Sequence, residues 1–264
     1  MAFANLREEA PYRVDILVLL KQTFDTEAKV TVKDGKIVED DVTLVINPYD
    51  EYAVEEALKI REAQGGNVTV VSVGGDKVEE ALRRALAMGA DEAVLIEPPA
   101  EADEFTTAHL LAAWAKGKSF GLYLAGNVSV DTGAGQTAIR FAELMNIPHV
   151  AAALKLELNG GKATVQRDAE GDTEILEVAL PALITAQQGL NEPRYPSVPG
   201  IMKAKRKPIA RVTAAELGVS AAPLTQVTSV FQSQQNRRNT IIKGSPAEQA
   251  QQLVQLLRSE AKVV

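Results

Sequence analysis

Ile16-Leu17-Val18-Leu19-Leu20 is an unbroken apolar run near the start of the chain. A run this short, apolar on both of its alternating faces, suits a strand buried on both sides of a parallel sheet. Residues 14–20 are therefore expected to form the first core strand, and the pattern then recurs. Strands are predicted at 68–73, 93–96 and 120–125, with helices at 48–63, 76–88, 102–116 and 135–145. The first of these helices has a marked start: Asn47 at the N-cap position, Pro48 at the first helical position, then Asp50 and Glu51, with Gly65-Gly66 after its end. Such alternation predicts an α/β fold built on a mainly parallel, doubly wound sheet.

Two regions depart from it. Asp34-Gly35, between short β-prone runs, reads as a hairpin turn. From His149 onward strands dominate, at 152–158, 163–167 and 174–185, with Asn159-Gly160-Gly161 as a turn, and these are expected to extend the sheet in antiparallel fashion. Residues 189–207 carry Pro193, Pro196, Pro199 and Gly200, which predicts an ordered loop or a short kinked helix. Residues 219–264 contain a polar tract, 232–239, and an amphipathic helix from about Pro246. That tail has little with which to build its own core, so it is expected to act as an arm on another chain. Residues 1–13 read as a disordered extension, and 14–218 as one nucleotide-binding domain.

Composition narrows the chemistry. Among 264 residues, 35 acidic against 28 basic side chains give a net charge of −7, which argues against bulk nucleic-acid binding. Cysteine is absent, removing disulfides, thiolate metal sites and cysteine nucleophiles; His109 and His149 are the two imidazoles. No metal site is expected. Each histidine reads as structural, as does Trp114. No apolar run approaches a membrane span, and Arg7, Glu8, Glu9 and Arg13 make 1–13 unlike a secretory signal, so a cytoplasmic location is expected.

In open α/β sheets ligands bind beyond the C-terminal strand ends, where strand order reverses. Residues 21–26, 73–76 and 126–137 are the loops that fit. The third reads Gly126-Asn127-Val128-Ser129-Val130-Asp131-Thr132-Gly133-Ala134-Gly135-Gln136-Thr137 and runs from a strand into a helix. Glycines let backbone approach a ligand, and amides at a helix N-terminus stabilise a phosphate. A polar turn that merely caps the helix reads equally well. Gly133-x-Gly135-x-x-Ala138 matches a dinucleotide fingerprint nominally, but too late in the sheet for that role. Neither a phosphate-binding Lys-Ser/Thr completion nor a G-x-S-x-G elbow is present. Between Pro193 and Ala215 every charged residue is basic: Arg194, Lys203, Lys205, Arg206, Lys207 and Arg211. With Tyr195, Val198, Ile201 and Met202 interleaved, this reads either as a solvated charge run or as a docking element for an acidic partner.

These residues carry a family resemblance. Leu190-Asn191-Glu192-Pro193-Arg194-Tyr195, then Pro199-Gly200-Ile201-Met202-Lys203-Ala204-Lys205, is similar to the signature of the electron-transfer flavoprotein beta, or small, subunit. Further similarity runs through Asn47-Pro48-Tyr49-Asp50, Ala53-Val54-Glu55-Glu56-Ala57, Ala85-Leu86-Ala87-Met88-Gly89-Ala90-Asp91 and the 126–137 loop. The resemblance covers 14–218. It implies a Rossmann-like, adenine-nucleotide-binding fold and a heterodimer with an alpha subunit that holds the redox-active FAD. It also implies acyl-CoA or related flavin dehydrogenases as electron donors and a membrane quinone oxidoreductase as acceptor.

The resemblance further implies that this subunit buries AMP, with FAD as the alternative occupant. The implied nucleotide-binding residues are Leu19, Asn47, Pro48, Tyr49, Asp50, Val73 and all of 126–137. The implied docking residues are Arg194, Tyr195, Val198, Ile201, Met202 and Lys203. Val198 stands where the family commonly has Leu, and Thr26 where an aromatic often occurs. Tyr49 matches an aromatic position near the partner's flavin. No catalytic residue is implied.

Overall fold

A computed structural model describes residues 13–38, 42–232 and 240–263. The extension expected at 1–13, apart from Arg13, and the polar tract from 233 to 239 lie outside the described residues. The elements begin with β1 (Ile16–Leu19), β2 (Gln22–Phe24), β3 (Val32–Lys33), β4 (Lys36–Ile37), β5 (Leu44–Ile46) and α1 (Pro48–Gln64). Then come β6 (Val68–Val73), α2 (Glu79–Met88), β7 (Glu92–Glu97), α3 (Glu104–Ala115), β8 (Leu122–Gly126) and α4 (Thr137–Met145). The strand-rich part holds β9 (His149–Asn159), β10 (Lys162–Ala169), β11 (Asp172–Ala179) and β12 (Ala182–Ala186). It is followed by α5 (Val198–Ala204), β13 (Ala210–Thr213) and α6 (Pro246–Leu256).

Nine strands form one sheet in the order β11-β10-β9-β12-β8-β1-β6-β7-β13. From β9 to β13 every neighbouring pair is parallel. The apolar run at Ile16 supplies the middle strand, and its alternation explains why both faces are covered. Ile16 and Val18 join the core under α1 and α2, with Leu58, Leu82 and Leu124. Leu17 and Leu19 point the other way, into the core with Leu110 of α3 and Phe141 of α4. The fold is therefore a doubly wound α/β sheet.

Two expectations are corrected. The strand expected at 174–185 is two strands: Pro181, which lacks an N–H for the ladder, falls between them. β11 runs antiparallel to β10 at the sheet's outer edge, while β12 returns to lie between β9 and β8, parallel to both. The antiparallel extension is thus β9-β10-β11. β13, unforeseen in the sequence, adds a parallel edge strand on β7. The small hairpin β3–β4 forms as expected, with Asp34 and Gly35 both at positive φ (51° and 72°).

Because β1 is followed by β6 on one side and has β8 on the other, strand order reverses at β1/β8. Leu19 is level with Ala125 of β8 and Val71 of β6, which brings Lys21, Asn127 and Val73 to one edge of the sheet.

Candidate functional site

At that edge the ends of β1, β6 and β8 and the starts of α1, α3 and α4 surround a cavity of about 800 Å³. This is within the size range of small-ligand sites. Of the residues implied by resemblance, Leu19, Asn47, Asp50, Val73, Gly126, Asn127, Val128, Ser129, Thr132, Ala134, Gly135 and Thr137 line it. Pro48, Tyr49, Val130, Asp131, Gly133 and Gln136 belong to the same segments but do not line it.

Pro48 opens α1 and the helix carries Asp50 back onto the strand ends. The Asp50 carboxylate accepts the N–H of Lys21 at 2.7 Å and the N–H of Gly126 at 2.7 Å, and so ties the two sides of the switch point together. Burial pushes its pKa up to about 7, against the pull of those two hydrogen bonds, Asn47 and the Lys21 charge. A side chain at position 126 has no room: its Cβ would lie 2.3 Å from Asp50 Oδ1 and 2.7 Å from Tyr49 Cβ. Only glycine lets α1 approach β8 this closely.

Asn47 sits at the N-cap position of α1, but its side chain makes no cap hydrogen bond. It reaches into the 126–137 loop instead: Nδ2 donates to the carbonyl of Val128 at 3.0 Å and Oδ1 accepts the N–H of Val130 at 3.2 Å. Asn47 therefore shapes the loop. Lys21 Nζ pairs with Asp131 at 2.8 Å, and Ser129 and Thr132 hydroxyls lie 3.0 Å apart. Despite some desolvation, Lys21 and the N–H of Thr132 hold the Asp131 carboxyl below its ordinary value. Asn127 is anchored by the hydroxyl of Thr185 at 3.0 Å and donates to Gln187 at 3.3 Å.

Two helix starts then face the same cavity with opposite character. α3 is capped: Asp103 Oδ1 accepts the N–H of Thr106 at 2.9 Å, and Glu101 and Glu104 add negative charge beside it. α4 has no side-chain cap, because Gln136 Oε1 accepts from Arg140 Nε at 2.8 Å. The first N–H groups of an uncapped helix have no intrahelical acceptor and favour an anion. Between these two starts, an anion is favoured at the uncapped α4 over the capped, acid-flanked α3. Among the described residues no group of His, Cys, Asp and Glu could hold a metal ion.

Sequence reasoning missed several lining residues. Leu20 follows β1 directly, and Lys21 opens the 21–26 loop that the sheet rule marked without being named as a binding residue. Residues 100–103 sit before α3 and Glu104 opens it, where Asp103 followed by Glu104 was the available helix-start signal. Pro223, Thr225, Gln226 and Val227 come from beyond residue 219, and nothing local in the sequence marks them as part of the site. Residues 221–225 are fixed to their own chain at α3: Asp103 Oδ2 accepts the N–H of Leu224 at 2.8 Å and of Thr225 at 3.0 Å, and Thr106 Oγ1 donates to Ala221 at 3.2 Å.

In the 189–207 segment, α5 is the short helix expected there. Of the six basic residues between Pro193 and Ala215, three are occupied within the chain. Arg194 binds Glu55 at 2.8 Å and Glu62, both on α1; Lys207 Nζ donates to the carbonyl of Ala90 at 2.7 Å; Arg211 meets Asp76, Glu79 and Glu97. Arg194, grouped in the sequence with the docking residues, is thus an inward-facing anchor. Tyr195, Val198, Ile201, Met202 and Lys203 are exposed, Tyr195 at 89% and Val198 at 75%. They form one apolar and basic surface around α5. Gly200 allows it to sit tightly on α2, since a Cβ there would lie 2.4 Å from the Ala87 carbonyl.

Comparison with known proteins fits this geometry. The electron transfer flavoprotein domain matches residues 34–217. "Electron transfer flavoprotein subunit beta" of Bacillus subtilis is 48% identical over 257 residues, covering 95% of this chain and all of that protein. The protein of the same name from Syntrophomonas wolfei is 49% identical over 201 residues, 76% of this chain and 80% of its own. The mitochondrial beta subunit of Oryza sativa subsp. indica is 36% identical over 256 residues, covering 94% of this chain and 99% of that one.

Proposed function

The chain belongs to the electron transfer flavoprotein family, as its beta subunit, and from that premise we propose that it binds AMP in the switch-point cavity and docks flavin dehydrogenases through α5. Members of such a family are electron carriers, and no residue of this chain is assigned a proton-transfer or covalent step. The alpha subunit, as partner, holds the FAD that takes up and releases electrons. Donors are acyl-CoA or related flavin dehydrogenases, the acceptor is a quinone oxidoreductase of the membrane, and the complex works in the cytoplasm.

The observation that carries the nucleotide reading is the uncapped start of α4 beside apolar strand ends at one cavity. Phosphate fits the uncapped start of α4 and the 126–137 loop, while the nucleoside fits the apolar strand ends at Leu19 and Val73. Asn47, Asp50 and the Lys21–Asp131 pair hold that loop and the strand ends in place, so bound AMP acts as a structural core for this edge of the sheet. FAD is the alternative occupant.

The arm supports the heterodimer. No residue of α6 is buried against this chain, and Phe231 and Ile241 are 81% and 82% exposed. An amphipathic helix left bare in this way is a contact for the alpha subunit; of the 219–264 arm expected to reach it, residues 221–227 lie instead on this chain, at α3 and the cavity.

Docking is tested at Val198 in the purified heterodimer. Truncating Val198→Ala removes two methyls from an exposed anchor, worth about 1.5 kcal/mol when fully buried by a partner, or roughly tenfold in affinity. The expected result is a KM for donor dehydrogenase raised severalfold with kcat unchanged. Unaltered KM with every donor tried would remove α5 from the docking role.

A further inference from the structure

Residues 221–227 run past the start of α3 without regular structure, and Pro223, Thr225, Gln226 and Val227 contribute to the lining of the switch-point cavity. They come from beyond β13, more than a hundred residues after α3, yet their attachment there is concentrated on one side chain. Asp103 uses one carboxylate oxygen to cap α3 through the N–H of Thr106. Its other oxygen accepts three hydrogen bonds, from the N–H of Leu224 at 2.8 Å, the N–H of Thr225 at 3.0 Å and the hydroxyl of Thr225 at 3.1 Å. A further bond joins Thr106 Oγ1 to the carbonyl of Ala221. Hydrogen bonds to an ionised acceptor are the stronger kind. The rest of the segment has little to hold it, since Leu224 and Val227 are 67% and 79% exposed.

We propose that Asp103 is a positioning residue of the nucleotide site: it latches residues 221–227 against the cavity as a strap, and the strap sets how fast a bound adenine nucleotide escapes. This rests on the reading of the cavity as the AMP site. A strap held at one carboxylate opens as a unit when that carboxylate lets go, because Leu224 and Thr225 then lose all of their bonds to Asp103 together. The latch sits at the start of α3, beside the first turn of α4, where Arg140 lies over the Phe105 ring at 5.7 Å. The strap brings Pro223, Gln226 and Val227 to the cavity lining, with the Thr225 hydroxyl spent on Asp103.

Two substitutions in the full heterodimer test this. Asp103→Asn keeps an oxygen able to cap α3 but replaces the oxygen that accepts the strap's bonds by an amide donor. Thr225→Val removes only the strap's hydroxyl bond and leaves the cap untouched. Two quantities are read: hydrogen exchange at the Leu224 and Thr225 amides, and the exit rate of radiolabelled AMP chased with unlabelled AMP. The expected result is faster exchange at both amides and AMP exit at least tenfold faster in Asp103→Asn, with a smaller change of the same sign in Thr225→Val. Exchange that speeds up while AMP exit stays constant overturns the strap's role in retention and leaves the nucleotide reading standing. Exchange unchanged in Asp103→Asn overturns the latch. A wild-type heterodimer that takes up no AMP overturns both the reading of the cavity and the inference built on it.

Discussion

Asp50 shows how a single side chain joins fold to site. Its two oxygens each accept a backbone N–H at 2.7 Å from opposite sides of the switch point, Lys21 beyond β1 and Gly126 at the end of β8. Burial nevertheless dominates, and a carboxyl whose folded pKa is raised from 3.8 to about 7 holds more protons in the folded than in the unfolded state between those values. Its contribution to stability is therefore full below about pH 4 and is lost as pH rises through about 7. Asp50→Asn lacks this dependence and sets an amide donor against one of the two N–H groups, at a cost of about 1–3 kcal/mol. In urea unfolding of the complex, the stability gap between wild type and Asp50→Asn should narrow as pH rises from about 4 to about 7. A gap that widens with pH would mean that the two N–H groups, and not burial, govern Asp50. Sequence pattern placed Asp50 in the first turn of α1 and the family resemblance placed it at the site; its bonds to residues 29 and 76 positions away had no sequence signature. Asn47 illustrates the same limit. Its N-cap position was legible, but its amide serves the 126–137 loop, a choice decided by tertiary distance.

At the scale of elements, strand–helix alternation foretold the order from β1 to α4, because each buried strand must be apolar on both faces and each helix on one. Where the alternation ends, legibility falls. Residues 174–185 have one continuous β pattern, and only Pro181 hints that β12 leaves the edge to enter the middle of the sheet. β13 is four residues long and half exposed, too short to leave a periodic trace. Helix seating is where single substitutions test the arrangement. Gly126→Ala places a methyl against Asp50 and the start of α1, so the complex should lose about 1–3 kcal/mol of stability and retain less nucleotide, read by thermal unfolding and nucleotide content. The 189–207 segment is similarly tied to α1 through Asn191, which donates to Glu56 Oε2 at 2.9 Å, and through Arg194. Arg194→Ala leaves Glu55, whose side chain is 6% exposed, without its cation. The partly exposed arginine limits the loss to about 2 kcal/mol. The donor dehydrogenase KM should rise although Arg194 faces inward, with kcat unchanged and with partial recovery in Arg194→Lys. Normal KM in Arg194→Ala would show that α5 keeps its pose without the clamp.

For the molecule as a whole, the surfaces divide the work. The cavity lies at the strand ends between α1, α3 and α4, α5 presents Tyr195, Val198 and Met202 from the α2 side, and α6 projects with no residue buried against its own chain. On the proposed reading, a chain so arranged holds a small ligand for structure and offers the remaining surfaces to other proteins, while electrons pass through the alpha subunit's flavin. The most direct measurement is to purify this chain with its alpha partner, release bound nucleotides by heat and identify them by mass. The account predicts one AMP and one FAD per heterodimer, and no flavin retained by this chain when it is refolded alone. Two FAD per heterodimer, or a lone subunit that keeps a flavin cycling between oxidation states, would contradict it.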